Sequence, residues 1–456
     1  MFKYISAHGI YNLYFALSDA TVYRSFLYFC LKINNCQGRE DRTIRLRKKG
    51  MHSVNKSGQR EYNGKWFNAL LIALTCVFSM FYARYSTLSP ARSRGDIQLH
   101  TLVAKALLFQ DAEYDNSFFP VHAYTYPVYH FVQKMVHLFL QIDYETAAAI
   151  VLTISIVISV LLYRKLVLMM VKDTVQNRYF ADLLSIGAVF FETARCPLNH
   201  WRYYQLQCAA NPFHNPTILF VRPFAIASFI LFIQMINSCK QRINYKYMLQ
   251  FSLITLISVG AKPSYAIVFL PAMGIYTLCY IARTREWRLG VIALVSVLPS
   301  LLLLVIQQKW MSLHTEAINI RIKFGFFTEY VEFGSQWELL SEVIGASLVT
   351  FPVVILLFRV CLMKKDAFYP IAIIALVIGW LQMFFLKTGM TGDFSWGYDL
   401  AVQFATLISL AETRNEENRG GFRKIITGIT CCIFVYQVLV GFMYIREIYI
   451  TDAFWI

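Results

Sequence analysis

The chain has 456 residues, of which 57% are hydrophobic and only 15% charged, with a mean hydropathy of +0.47. A water-soluble surface needs more charge than this, so a soluble enzyme is excluded as the first reading. The formal net charge of +16 does not indicate nucleic acid. The basic residues stand in short stretches between apolar runs, where they set orientation in a bilayer and meet anionic lipid.

Residues 1–64 differ from the rest: an aromatic stretch at 10–33 precedes a basic arm from Arg39 to Lys65. No small-residue cleavage site follows the aromatic stretch, which argues against a signal peptide. An interfacial helix, an extra span, and a translation start at Met51 all remain open. From Lys65 onward, apolar runs alternate with short polar loops. Spans are expected at 66–84, 146–163, 179–194, 217–236, 247–261, 264–282, 289–308, 341–359, 368–386, 395–412 and 425–445. The fold class expected is all-α: a polytopic transmembrane bundle of about eleven spans, forming a single domain over 65–456. Loops 164–178, 237–247, 283–288, 359–366 and 413–424 carry 17 Lys and Arg in 52 residues. The longer loops of opposite parity are much sparser in both. The positive-inside rule therefore puts the N-terminus in the cytoplasm and the C-terminus outside, in a plasma (inner) membrane.

This parity leaves 85–145, 195–216 and 309–340 as the outer loops. The first holds Asp96 and then Ile97, Leu99, Leu102, Val103, Ala106 and Leu107 at helical spacing, with His100 interleaved. That pattern predicts an amphipathic helix on the membrane surface, with Asp96 as its N-cap. Asp111 and Glu113 form an acid-x-acid pair after it, secondary candidates for catalysis or metal binding, and His130 closes a Tyr-Pro-x-Tyr-His segment; His100 and His130 are candidate contacts for acceptor or phosphate. The segment 123–140 reads as a second amphipathic stretch, re-entrant or interfacial.

In this layout the chain resembles the GT-C superfamily of integral membrane glycosyltransferases. The likeness covers about 66–310: one span, an acid shortly after it, helices along the membrane, then a multi-span body. It implies sugar transfer from a polyprenyl-phosphate donor to a glycan, lipid or protein acceptor on the outer face, as in polysaccharide assembly for a cell envelope. Asp96 would be the general base. Cations near the interface would hold the leaving phosphate. No cofactor is implied, a divalent cation is left open, and no nucleotide-binding glycine loop is present.

Further along, Arg222 sits inside a span, where its planar fork suits a lipid phosphate, and His214 and Asn215 stand just above it as candidates to complete the substrate site. Lys262, before Pro263, is a second candidate cation at a broken helix. Glu192 and Asp399 are intramembrane acids. The turn 388–398 offers Asp393 and Trp396 as polar and aromatic contacts for a sugar. A transporter or flippase for a lipid-linked or small polar substrate accounts for the same intramembrane charges. An O-antigen-polymerase-like enzyme is a further alternative. The Cys spacing provides no metal site, and Cys196 and Cys208 are either one disulfide or two buried thiols.

Overall fold

The computed structural model describes residues 62, 64–87, 96–107, 125–191, 213, 215–239, 244–314, 321–322, 353–356, 366–387, 394–414 and 421–451. Twelve helices run through them. They are α1 (Lys65–Thr87), α2 (Asp96–Ala106), α3 (Val128–Leu140), α4 (Tyr144–Met170), α5 (Val175–Phe190) and α6 (Pro216–Cys239). After these come α7 (Tyr245–Ala261), α8 (Ser264–Thr284), α9 (Trp287–His314), α10 (Phe368–Phe385), α11 (Ser395–Glu412) and α12 (Gly421–Thr451). One antiparallel backbone pairing joins β1 (Arg321–Ile322) to β2 (Leu386–Lys387).

Six helices, α1, α4, α6, α8, α9 and α12, are long and apolar enough to cross a membrane. Ten of the about eleven expected spans coincide with helices among the described residues, but only six of those helices meet the length and composition test, so the count of about eleven is not confirmed. The expected span at 341–359 lies outside the described residues except for 353–356.

Several helices outrun their expected bounds. α4 starts where the Asp143 carboxylate accepts from the Thr146 N–H at 2.6 Å, and it continues seven residues past 163 to Met170. Arg164, expected in a loop, is therefore helical and pairs with Asp182 on α5. Thr174 caps α5 through the Asn177 N–H, so the helix starts at Val175, four residues before the expected start at 179. α9 extends to His314, into the stretch expected as an outer loop.

α6 is the centre of the bundle. In its apolar window 78% of residues are buried, against 22% in α9, whose Leu294, Leu298, Leu302, Val305 and Ile306 face outward. Such an apolar exterior suits lipid, and packing inside it rests on close contact rather than on expelled water. α6 packs against α4 and α7, α4 against α1 and α5, and α10 against α11 and α8. Small residues allow the approaches. A Cβ on Gly441 of α12 would fall 2.0 Å from the Phe190 carbonyl oxygen, and one on Gly379 of α10 would fall 2.9 Å from the Tyr398 Cα.

Side-chain amides and hydroxyls join the helices in the interior. Ser228 on α6 bonds Thr255 on α7 at 2.7 Å. Gln403 on α11 accepts from the Tyr163 hydroxyl of α4 and donates to the Ala188 carbonyl of α5 at 2.8 Å. Gln382 donates to the Ile267 carbonyl, joining α10 to α8. Each such bond contributes about 0.6 kcal/mol in a membrane bundle, so they fix register more than they stabilise.

Candidate functional site

Asn215 and Pro216 form a helix start that follows from residue type. Proline at the first helical position loses no useful N–H, and an Asn before it can cap. The Asn215 Oδ1 accepts the Ile218 N–H at 3.2 Å, the Thr217 hydroxyl at 2.7 Å and the Lys262 ammonium at 3.2 Å. An atom that accepts from a backbone N–H and an ammonium must be oxygen, so Nδ2 is the atom facing Asp96. It donates to Asp96 Oδ2 at 2.6 Å. The carboxylate and the ammonium are thus joined through one buried amide, and two hydrogen bonds end to end across it hold them within about 8 Å.

Lys262 lies between α7 and α8, where its backbone N–H closes the last turn of α7 on Ser258. Its ammonium also donates to the Thr217 hydroxyl at 3.1 Å and lies 4.7 Å from the centre of the Trp396 ring. Trp396 reaches that place because Gly397 lets α11 touch α8. A Cβ at Gly397 would come 2.9 Å from the Ser264 carbonyl oxygen and 2.5 Å from Val268 Cγ2. Trp396 was expected as a sugar platform. It is 7% exposed and bears the Lys262 ammonium over its ring.

The starts of α2, α6, α8 and α11 meet in this cluster, and the positive ends of helices attract anions. Asp96 and Lys262 are half-buried, whereas Asn215 and Thr217 are buried. An approaching molecule would meet the acid and the ammonium, with the amide behind them.

Asp96 is the first residue of α2 rather than a cap preceding it. Expected as an amphipathic surface helix, α2 packs on α3, α4 and α6 and buries Ile97, Gln98, His100, Thr101, Val103 and Ala104. Gln98 donates to the Tyr85 carbonyl at the end of α1 at 2.7 Å. Thr101 accepts from Gln133 of α3 at 3.0 Å, and Lys134 of α3 donates to the Leu107 carbonyl. Lys105 pairs with Glu145 of α4 at 3.0 Å. The polar residues of α2 are buried because they make these bonds.

His100 and His130 face each other, Nδ1 to Nε2 at 2.9 Å, beside Tyr129. Burial pushes the Tyr129 hydroxyl well above the ordinary tyrosine range, so it is neutral there. Arg222 is 1% exposed and stands seven residues below Asn215 on the same face of α6, about 10 Å deeper. Asp399 is 2% exposed, three residues beyond Trp396 on α11. The structure therefore brings Asp96, Asn215, Lys262 and Trp396 into one cluster, with His100 one turn along α2. Arg222 and Asp399 lie deeper in the body.

His214, Asp393, Asp111, Glu113, Glu192, Cys196 and Cys208 lie outside the described residues. Sequence reading missed Thr217, Gln98, Gln133 and Lys134. Asn-Pro-Thr at a helix start was the available signal for Thr217, while the other three sit in amphipathic stretches with no distinguishing pattern. Among the described residues no group of three His, Cys, Asp or Glu is placed to hold a metal ion. Comparison with protein-family models and with curated proteins gives no match.

Proposed function

We propose that the chain is a GT-C-like membrane glycosyltransferase. It moves one sugar from a polyprenyl-phosphate donor to a glycan, lipid or protein acceptor at the membrane face where α2 lies. The observation that carries this reading is the half-buried Asp96 carboxylate tied through Asn215 to the half-buried Lys262 ammonium. The acceptor hydroxyl attacks the anomeric carbon and its proton passes to Asp96. The bond from that carbon to the phosphate oxygen breaks, and the departing polyprenyl phosphate takes the electron pair. Lys262 and the neighbouring helix starts stabilise its charge. On this reading the body has about eleven spans, the N-terminus is cytoplasmic and the C-terminus lies outside.

A second reading, a transporter or flippase for a lipid-linked substrate, is favoured by the buried Arg222 and Asp399. One experiment separates the two. The full chain in liposomes is given a polyprenyl-phosphate sugar with a labelled hexose, together with a mixed acceptor extract. The transferase reading expects label to move from the donor onto an acceptor. Donor crossing the bilayer with its sugar intact, and no label transferred, would contradict it in favour of the flippase.

A further inference from the structure

The His100–His130 contact joins two elements that nothing in the proposed reaction requires to be joined by titratable groups. His100 is 7% exposed and His130 is 0% exposed. The ring planes are 26° apart and the centroids 5.1 Å apart, about the 2.9 Å nitrogen separation plus a ring radius on each side. The two nitrogens therefore lie along the line of centres, and the contact is an N–H···N hydrogen bond rather than a face-to-face stack. Such a bond needs one nitrogen bearing hydrogen and one bearing a lone pair. It survives in the neutral pair and in the singly protonated pair. A second proton puts two N–H groups and two positive charges face to face in a buried place, and the bond is lost.

Charged and titratable groups stand on the elements around the pair. Lys105 on α2, Lys134 on α3 and Arg222 on α6 are cations on elements packed around the pair, and Lys262 stands at the end of α7. Asp96 lies one turn from His100 on α2, and Glu145 of α4 is engaged by Lys105. His137 of α3 is bound to the Ile142 carbonyl and stacked on Tyr144, and the Tyr129 ring of α3 lies edge-on to His100.

We infer that the His100–His130 bond is an acid-sensitive positioning latch that holds α2 on α3 and so sets the placement of Asp96. The latch is closed at neutral pH and opens when the pair takes up its second proton. The consequence for transfer rests on Asp96 being the base, whereas the latch itself does not.

The test uses the full chain in lipid nanodiscs, with nitroxides placed by bio-orthogonal side chains at Leu99 on α2 and Phe139 on α3. Distances are measured at about pH 7.5 and about pH 5, the range over which histidine changes charge. The unsubstituted pair should give one narrow distance at neutral pH and a broad one in acid. His130→Gln should stay narrow at both, because an amide can donate to His100 or accept from it and does not titrate. His130→Leu should be broad at both.

A narrow distance at both pH values with the histidines intact would overturn the latch, as would acid broadening in His130→Gln equal to that of the unsubstituted chain. Sugar transfer, read in parallel, should fall about tenfold in acid with the pair intact and under about twofold in His130→Gln. If the distances behave as expected and the two transfer profiles coincide, the latch stands and the role given to Asp96 falls.

Discussion

The two ends of the bundle handle charge differently. Twenty residues of α4, about 30 Å of helix, separate Tyr144, near α2, from Arg164 at the other end. At the Arg164 end, a buried carboxylate meets its cation directly. The Arg164 Nε donates to Asp182 at 2.5 Å, the Tyr62 hydroxyl donates to the other oxygen of the same carboxylate at 2.8 Å, and Arg164 also donates to Tyr62 at 3.1 Å. Asp182 is fully buried. Nearby, Arg414 donates to Asn177 at 3.1 Å, and the Tyr369 hydroxyl donates to the buried Glu412. At the Asp96 end, Lys105 and Glu145 pair directly at 3.0 Å, but the Asp96 carboxylate and the Lys262 ammonium are linked through an intervening amide, and both are half-exposed. Directly matched charges fix helix positions. Charges joined through a neutral amide keep electrostatic capacity, which on the proposed reading Asp96 and Lys262 use for the substrate.

The largest expected break of this comparison is Arg164→Met. It leaves Asp182 buried without its cation and should cost about 3–5 kcal/mol, read as a lower thermal midpoint in detergent, with transfer per folded molecule unchanged. Adding Asp182→Leu should recover most of that loss, because an apolar pair replaces a buried ion pair at little cost. Next, Lys262→Met should reverse the pattern: transfer falls about a hundredfold while the thermal midpoint scarcely moves. Gly397→Ala should affect both readouts. Its Cβ meets the Ser264 carbonyl, pushes α11 off α8 and costs about 1–3 kcal/mol, and it draws Trp396 away from Lys262.

The smallest effect is expected for Tyr62→Phe, about 1 kcal/mol net, from loss of the hydrogen bond donated to Asp182 and the one accepted from Arg164, which keep each other as partners. Burial, then the hydrogen bond to Asp182, raises the Tyr62 hydroxyl above its ordinary value. The stability it contributes is therefore full below about pH 10 and declines as pH rises toward the raised value. Thermal midpoints across that alkaline range should fall less steeply in Tyr62→Phe than in the parent chain.

Much of this arrangement was legible in the sequence, for identifiable reasons. Apolar runs near the hydrocarbon thickness marked ten of the helices, since composition alone carries that signal. Asn215-Pro216 marked the start of α6, and Lys262-Pro263 marked the break between α7 and α8. Helix ends were less legible. Arg164 and Lys309 were assigned to loops because they are charged, yet both continue their helices; Arg164 gains Asp182 as a partner, and a long side chain at a helix end can reach the interface. The tertiary role of α2 was not legible. Its polar residues look like the wet face of a surface helix, and only the placement of Tyr85, Gln133, His130 and Asn215 turns them inward. The same holds for Trp396, where no local pattern announces that Lys262 covers its ring.

The most direct test of the account is transfer of labelled sugar from a polyprenyl-phosphate donor in proteoliposomes, comparing the parent chain with Asp96→Asn. The amide keeps the shape of the carboxylate but cannot take the acceptor's proton. The account expects transfer to fall by about 10²–10⁴, the usual contribution of a general base, while donor binding and the thermal midpoint persist. Transfer by Asp96→Asn at the parent rate would contradict it, and would leave Asp96 as a structural partner of Asn215.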